Sequence, residues 1–242
     1  MILKNGTIHN AVNPQPYEAD IALRDGKIAA IGPNLAPLEG EEMIDISGKQ
    51  VYPGFVDAHS HLGLDGYGKG MEGIDYNEMG DIVSAQLRGI DSFNPQEQSI
   101  GMALAGGVTT AGVGPGSANV LGGTFFAVKT WGNCVDDMVV RNPVAMKCAF
   151  GENPKRCYRE KGDSARMTTA AKLRDMLFQA RDYLARKEAA GDDILKQPKF
   201  DMKMEALIPV LKGEIPLKAH AHRADDICTA IRIAREFGVK LT

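Results

Sequence analysis

Histidine and cysteine are both scarce in this 242-residue chain, with five of the first and four of the second. The cysteines (Cys134, Cys148, Cys157, Cys228) form no Cys-x-x-Cys pair and are too few to staple a chain of this size. A disulfide scaffold is excluded, and a reduced, cytoplasmic setting is expected. Excess positive charge is missing too. Lys plus Arg is 28 against 31 Asp plus Glu, a net charge of −3. Nothing there resembles the clustered basic footprint that a phosphate backbone needs, so nucleic acid is not an expected partner. No apolar run reaches the roughly 18 residues of a membrane span, and residues 1–6 lack a signal peptide's apolar core. A membrane is not an expected partner either.

What is present is a globular composition, 44% hydrophobic and 24% charged, that can build a core. Glycine is abundant at 27. Residues 1–52 read as short strands and turns, with Met1–Leu3 and Gly6–Ile8 as a modest strand pair. The clearest hairpin has two alternating strands flanking Asp25-Gly26, a dipeptide suited to the positive φ of a tight turn. After Pro53-Gly54 the pattern changes. Phe55-Val56-Asp57-Ala58-His59 is a short buried-strand pattern that runs into a glycine-rich loop. Helical patterns at 95–105, from Thr168 or Thr169 to Gly191, around 204–211 and at 224–237 then alternate with strand patterns. Those strands are expected at 108–113, 125–128, 143–150 and 216–220, with a further one beginning at Val239. In the last helix Ile227, Ile231, Ala234 and Phe237 form the apolar register. The alternation predicts βα units and a parallel sheet or barrel.

Four of the five histidines come in two His-x-His pairs, His59/His61 and His220/His222, each ending a predicted strand. Residues i and i+2 of an extended segment project to the same side, so both imidazoles of a pair can reach one point. Imidazole is the commonest nitrogen ligand for divalent metals. A surface position would be the bland reading of either pair alone; their matching placement favours one shared metal site. Lys147 interrupts an otherwise apolar strand. Its stem could be buried with the ammonium at the rim, and on the residues alone that is the reading preferred. A neutral buried amine could instead add carbon dioxide and become an anionic carbamate ligand. Glu152, just beyond, is either a carboxylate ligand or half of an ion pair with Lys155 or Arg156.

The segment Pro53-Gly54-Phe55-Val56-Asp57-Ala58-His59-Ser60-His61-Leu62 resembles the entry of the amidohydrolase superfamily into its catalytic barrel. Residues 22–32 are similar to that superfamily's N-terminal β-sandwich strands, Gly107-Val108-Thr109-Thr110 to its second barrel strand, and 216–227 to its fifth. The nearest flavour is the imidazolonepropionase-related branch. The resemblance implies an α/β fold, a (β/α)8 TIM-type barrel joined to a β-sandwich. It implies a metal-dependent hydrolase that cleaves an amide, cyclic amide or related C–N bond of a small-molecule substrate with a metal-activated hydroxide. By position His59 and His61 match the ligands of the more buried ion, and Lys147 the carboxylated lysine of binuclear members. His220 matches the ligand of the second ion, and His222 falls where it would touch substrate. One or two divalent ions, zinc first, are the expected cofactor, and a homo-oligomer is the expected assembly. The resemblance reverses the preference on Lys147, with Glu152 as its competitor.

Boundaries of 1–52 for the sandwich portion and 53–242 for the barrel leave about 190 residues for a fold that rarely has fewer than about 200. Five strands are legible and a sixth begins, so the barrel is expected to be incomplete. The family's aspartate after the eighth strand and histidine after the sixth find no match. Asp225 and Asp226 fall in the helix after strand five and are read as favouring its positive start. The alternative expectation is therefore an incomplete or inactive relative that serves as a metal-binding or scaffold protein.

Overall fold

A computed structural model describes residues 1–242. The chain divides into two units, Met1–Phe55 and Val56–Thr242. The first is a five-stranded sheet of β1 (Ile2–Ile8), β2 (Tyr17–Arg24), β3 (Lys27–Gly32), β4 (Met43–Asp45) and β5 (Gln50–Val51). Its order is β3-β2-β1-β4, with β5 also paired to β1. Asp25 and Gly26 turn β2 into β3 with φ of 52° and 69°, the left-handed pair that lets a two-residue turn follow the strand twist. The expected pair Met1–Leu3 and Gly6–Ile8 is one strand, β1, whose register against β2 shifts between Leu3 and Gly6. A bulge there absorbs the break in alternation. Ile8, Ala19 and Ile21 form this unit's core.

The second unit is built on a sheet in the order β10-β9-β8-β7-β6, curled into a half-barrel. Its strands are β6 (Phe55–Ser60), β7 (Val108–Val113), β8 (Leu121–Lys129), β9 (Val139–Ala149) and β10 (Leu217–His220). The helices are α1 (Gln98–Ala105), α2 (Val135–Met138), α3 (Glu152–Cys157), α4 (Arg166–Ala190), α5 (Met202–Leu211) and α6 (Ala224–Phe237). Leu241 bridges Leu217 in parallel, the beginning of the further strand expected from Val239.

The sheet is mixed, not wholly parallel as the βα alternation predicts. β9 and β10 are parallel, but β8 is antiparallel to both β7 and β9. Only residues 114–120 join β7 to β8, and a parallel crossover needs a dozen or more residues. β6 is not the buried strand its apolar sequence suggests: Phe55 is 57% and Val56 69% exposed. As the last strand of the order it is paired on one side only. Two helix readings also shift. α4 starts at Arg166, leaving Thr169 buried inside it instead of capping it. In α6 the buried apolar positions are Ala230, Ile233 and Ala234, while Ile227 is exposed.

Strand alternation then assigns the two faces of the half-barrel. Met146 and Cys148 of β9 and Leu217 of β10 enter the main core with Leu173, Leu177, Leu207, Val210 and Ile233 from the helices. The intervening residues Lys147, Lys218 and His220 therefore share the opposite, inner face.

Candidate active site

His59 sits near the end of β6 and His61 just beyond it. Their ring centroids are 5.5 Å apart and the rings nearly perpendicular. Nδ1 of His61 donates to the carbonyl of Gly114, 2.8 Å away at the end of β7. That bond places the ring proton on Nδ1 and leaves Nε2 with a free lone pair. Tyr76 stacks on the other side of the His61 ring at 5.3 Å. Burial holds His61 below the ordinary histidine range. His59 is pushed down to about 4, first by burial and then by repulsion from Lys147 and Lys218. Both rings are neutral at pH 7, the form in which imidazole binds a metal.

Lys147 projects from β9 into the same space, and its side chain is fully buried. Nζ lies 3.3 Å from Nε2 of His59. Burial pushes its pKa down to about 8, with the Lys218 charge adding to the effect. Beneath these groups stands Phe125 of β8, itself fully buried. It makes edge contacts with His59 at 5.3 Å and His61 at 6.4 Å, and Lys147 Nζ lies 5.8 Å from its centroid. Gly114 leaves room for this ring: a Cβ there would meet it at 2.3 Å.

His220 ends β10, half-buried, and accepts from Nδ2 of Asn153 at 3.3 Å. Burial lowers its pKa, and Lys147, His222 and His61 oppose its charging further. His222 is exposed beside it, with ring centroids 4.5 Å apart. The structure thus gathers His59, His61 and Lys147 closely, and places His220 on the same face with His222 at its rim. Glu152 is engaged elsewhere. It is exposed at the start of α3 and paired with Arg166, which lowers its pKa and which also binds the buried Asp226 at 2.9 Å. Asp226 is thus the anchor of an α4–α6 contact and not only a helix-start charge, while Asp225 pairs with Arg223.

Three contributors are not evident from motifs. Phe125 lies in a recognisable strand but has no chemical tag. Lys218 could be found by parity, two residues before His220 in the same strand. Glu97 could not: it is buried, and its carboxylate accepts from the backbone N–H groups of Gly63 at 3.2 Å and Gly66 at 2.9 Å. It fixes the loop that follows His61.

No protein-family model matches the chain. Amidohydrolase tasK of Hapsidospora irregularis is 28% identical over 246 residues, covering 90% of this chain and 25% of that protein. D-hydantoinase of Geobacillus stearothermophilus is 49% identical over 63 residues, covering 26% of this chain and 13% of that protein. The crystal structure of an amidohydrolase from Thermotoga maritima MSB8 matches 99% of this chain with a TM-score of 0.94 and 42% identity. This chain covers 63% of that one. It therefore spans less than two thirds of the lengths of these proteins, and they specify no branch of the family. On the whole-chain match in fold and sequence, this chain belongs to the amidohydrolase superfamily.

Proposed function

We propose that the chain is a metal-dependent amidohydrolase that cleaves an amide, cyclic amide or related C–N bond. The observation that carries this reading is the meeting of Lys147 Nζ with Nε2 of His59 on a face shared with His61 and His220. No three His, Cys, Asp or Glu side chains assemble there by themselves. The donors fit a divalent ion when Lys147 carries a carboxyl group, because the gathered histidines and lysines otherwise include no anionic oxygen. His59 and His61 would hold the more buried ion, Lys147 as a carbamate would supply the oxygen ligand, and His220 would serve a second ion. An imidazole-rich set of this kind suits zinc. When bound, such an ion polarises the substrate carbonyl and makes a nucleophile from water available at neutral pH.

The chain's own residues prepare the place. Gly114 fixes the His61 tautomer, Asn153 orients His220, and the Phe125 ring screens the Lys147 amine from water below. His222, at the exposed rim, is positioned to touch substrate. The name of the D-hydantoinase relative favours a cyclic amide among the possible bonds. The test is turnover of a panel of cyclic amides, N-acyl amino acids and dipeptides by the zinc-loaded chain. Hydrolysis that Lys147→Met abolishes supports the reading. Stoichiometric zinc without turnover of any member contradicts the enzymatic part of it.

A further inference from the structure

The inner face of β10 carries a second cation, Lys218, two residues before His220. In the parallel register of β9 and β10, Lys218 is the direct partner of Lys147. The two amines reach over the same aromatic ring: Nζ of Lys218 is 5.6 Å and Nζ of Lys147 5.8 Å from the Phe125 centroid. Lys147 is fully buried and Lys218 half-buried. Neither forms a salt bridge. The groups gathered around them are the imidazoles of His59, His61 and His220 and the amide of Asn153. The carboxylates that act on this cluster, Asp57 on His59 and Asp65 on His61, form no salt bridge with either amine. Two like charges side by side in a partly dry site oppose each other. The pair becomes favourable once one of the two side chains is an anion.

We propose that Lys218 is a positioning residue that holds an anionic carbamate on Lys147. The inference rests on the reading of Lys147 given above and adds the residue that stabilises its modified form. In the modification, the neutral Lys147 amine attacks the carbon of dissolved carbon dioxide and an N–C bond forms. One C–O π pair moves onto oxygen, and the nitrogen loses a proton to water. Lys147 then carries −1, and the Lys218 ammonium is its countercharge. The strand geometry favours this role over contact with substrate. Lys218 lies about 6.6 Å back along the strand from His220, level with Lys147 and away from the rim where His222 is exposed.

The test is the carbamate signal itself, read by 13C NMR on the purified chain equilibrated with 13C-bicarbonate, before any metal is added. Lys147→Arg identifies the resonance. At fixed bicarbonate, Lys218→Met is expected to lower carbamate occupancy about tenfold, and Lys218→Arg to restore it. Lys218→Gln, which keeps length and polarity without charge, gives the same reading should the methionine variant not fold. Occupancy unchanged in both neutral variants overturns the proposal while leaving the Lys147 carbamate in place. A wild-type chain with no signal either metal-free or after zinc is added, or a signal that survives Lys147→Arg, overturns the carbamate reading and this proposal with it.

Discussion

Nζ of Lys147 stands 3.3 Å from Nε2 of His59, joining the fourth strand of the half-barrel sheet to its first across 88 residues of sequence. The contact ties the buried Lys147 amine to an imidazole whose outer side is open to solvent, each opposing the other's charge. His59 should remain neutral until the pH falls to about 4. In a 1H–13C NMR titration its ring should change protonation near that value, and Lys147→Met should move the midpoint upward. Burial, the larger cause, keeps it below the ordinary 6.5 even then. A wild-type midpoint near 6.5 would contradict the contact.

Glu97 acts on the same region through the backbone. Its buried carboxylate accepts from Gly63 and Gly66, both at positive φ (76° and 60°) in the loop after His61. Glu97→Ala leaves those two N–H groups without their acceptor, at a cost of about 1–3 kcal/mol each for the part that stays dry. Urea denaturation should show a loss in that range, and metal affinity should fall as the loop loosens. A change below about 0.5 kcal/mol would place the anchor elsewhere.

Phe125 is the ring on which the site rests. Truncation to Ala should cost about 3–5 kcal/mol, as for other fully buried aromatic side chains. Phe125→Leu should cost less, about 1–1.5 kcal/mol, and still open space beneath Lys147. The leucine variant should fold, and its Lys147 amine should exchange with solvent more readily. Lysine reactivity toward a small acylating reagent reads this directly.

The first unit offers an independent check on pH. The Arg24 guanidinium, with the Leu38 backbone N–H, holds Glu41 down at about 2 against an ordinary 4.5. A carboxylate whose folded pKa is depressed contributes stability that is complete above its unfolded pKa and is lost as pH falls through the folded one. Amide protection in β2 and β3 should therefore fall as the pH drops from about 4.5 toward 2. Glu41→Gln should flatten that dependence and leave lower protection at neutral pH.

Much of this is legible in the sequence, for reasons that differ by element. Asp25-Gly26 demands its turn chemically, and α6 ends at Gly238 in the left-handed conformation that favours glycine. The His-x-His pairs are visible because parity in a strand is a local property. The antiparallel course of β8 is not local. It follows from the short 114–120 connection and from pairing with strands distant in sequence. The exposure of Val56 likewise reflects which strand has a neighbour, not how apolar its residues are. Lys147 is ambiguous in the sequence for a similar reason: only the folded sheet shows that its face also carries His59, Lys218 and Phe125. Glu97, whose partners are backbone groups 31 and 34 residues away, leaves no pattern at all.

His59 and His61, with Lys147, are proposed to hold a divalent ion. The decisive measurement is metal content after equilibration with zinc and removal of free ion, comparing the chain with the double variant His59→Ala/His61→Ala. About one to two equivalents should remain bound in the chain and near zero in the double variant, with the fold intact by circular dichroism. Equal zinc in the two proteins would contradict that assignment.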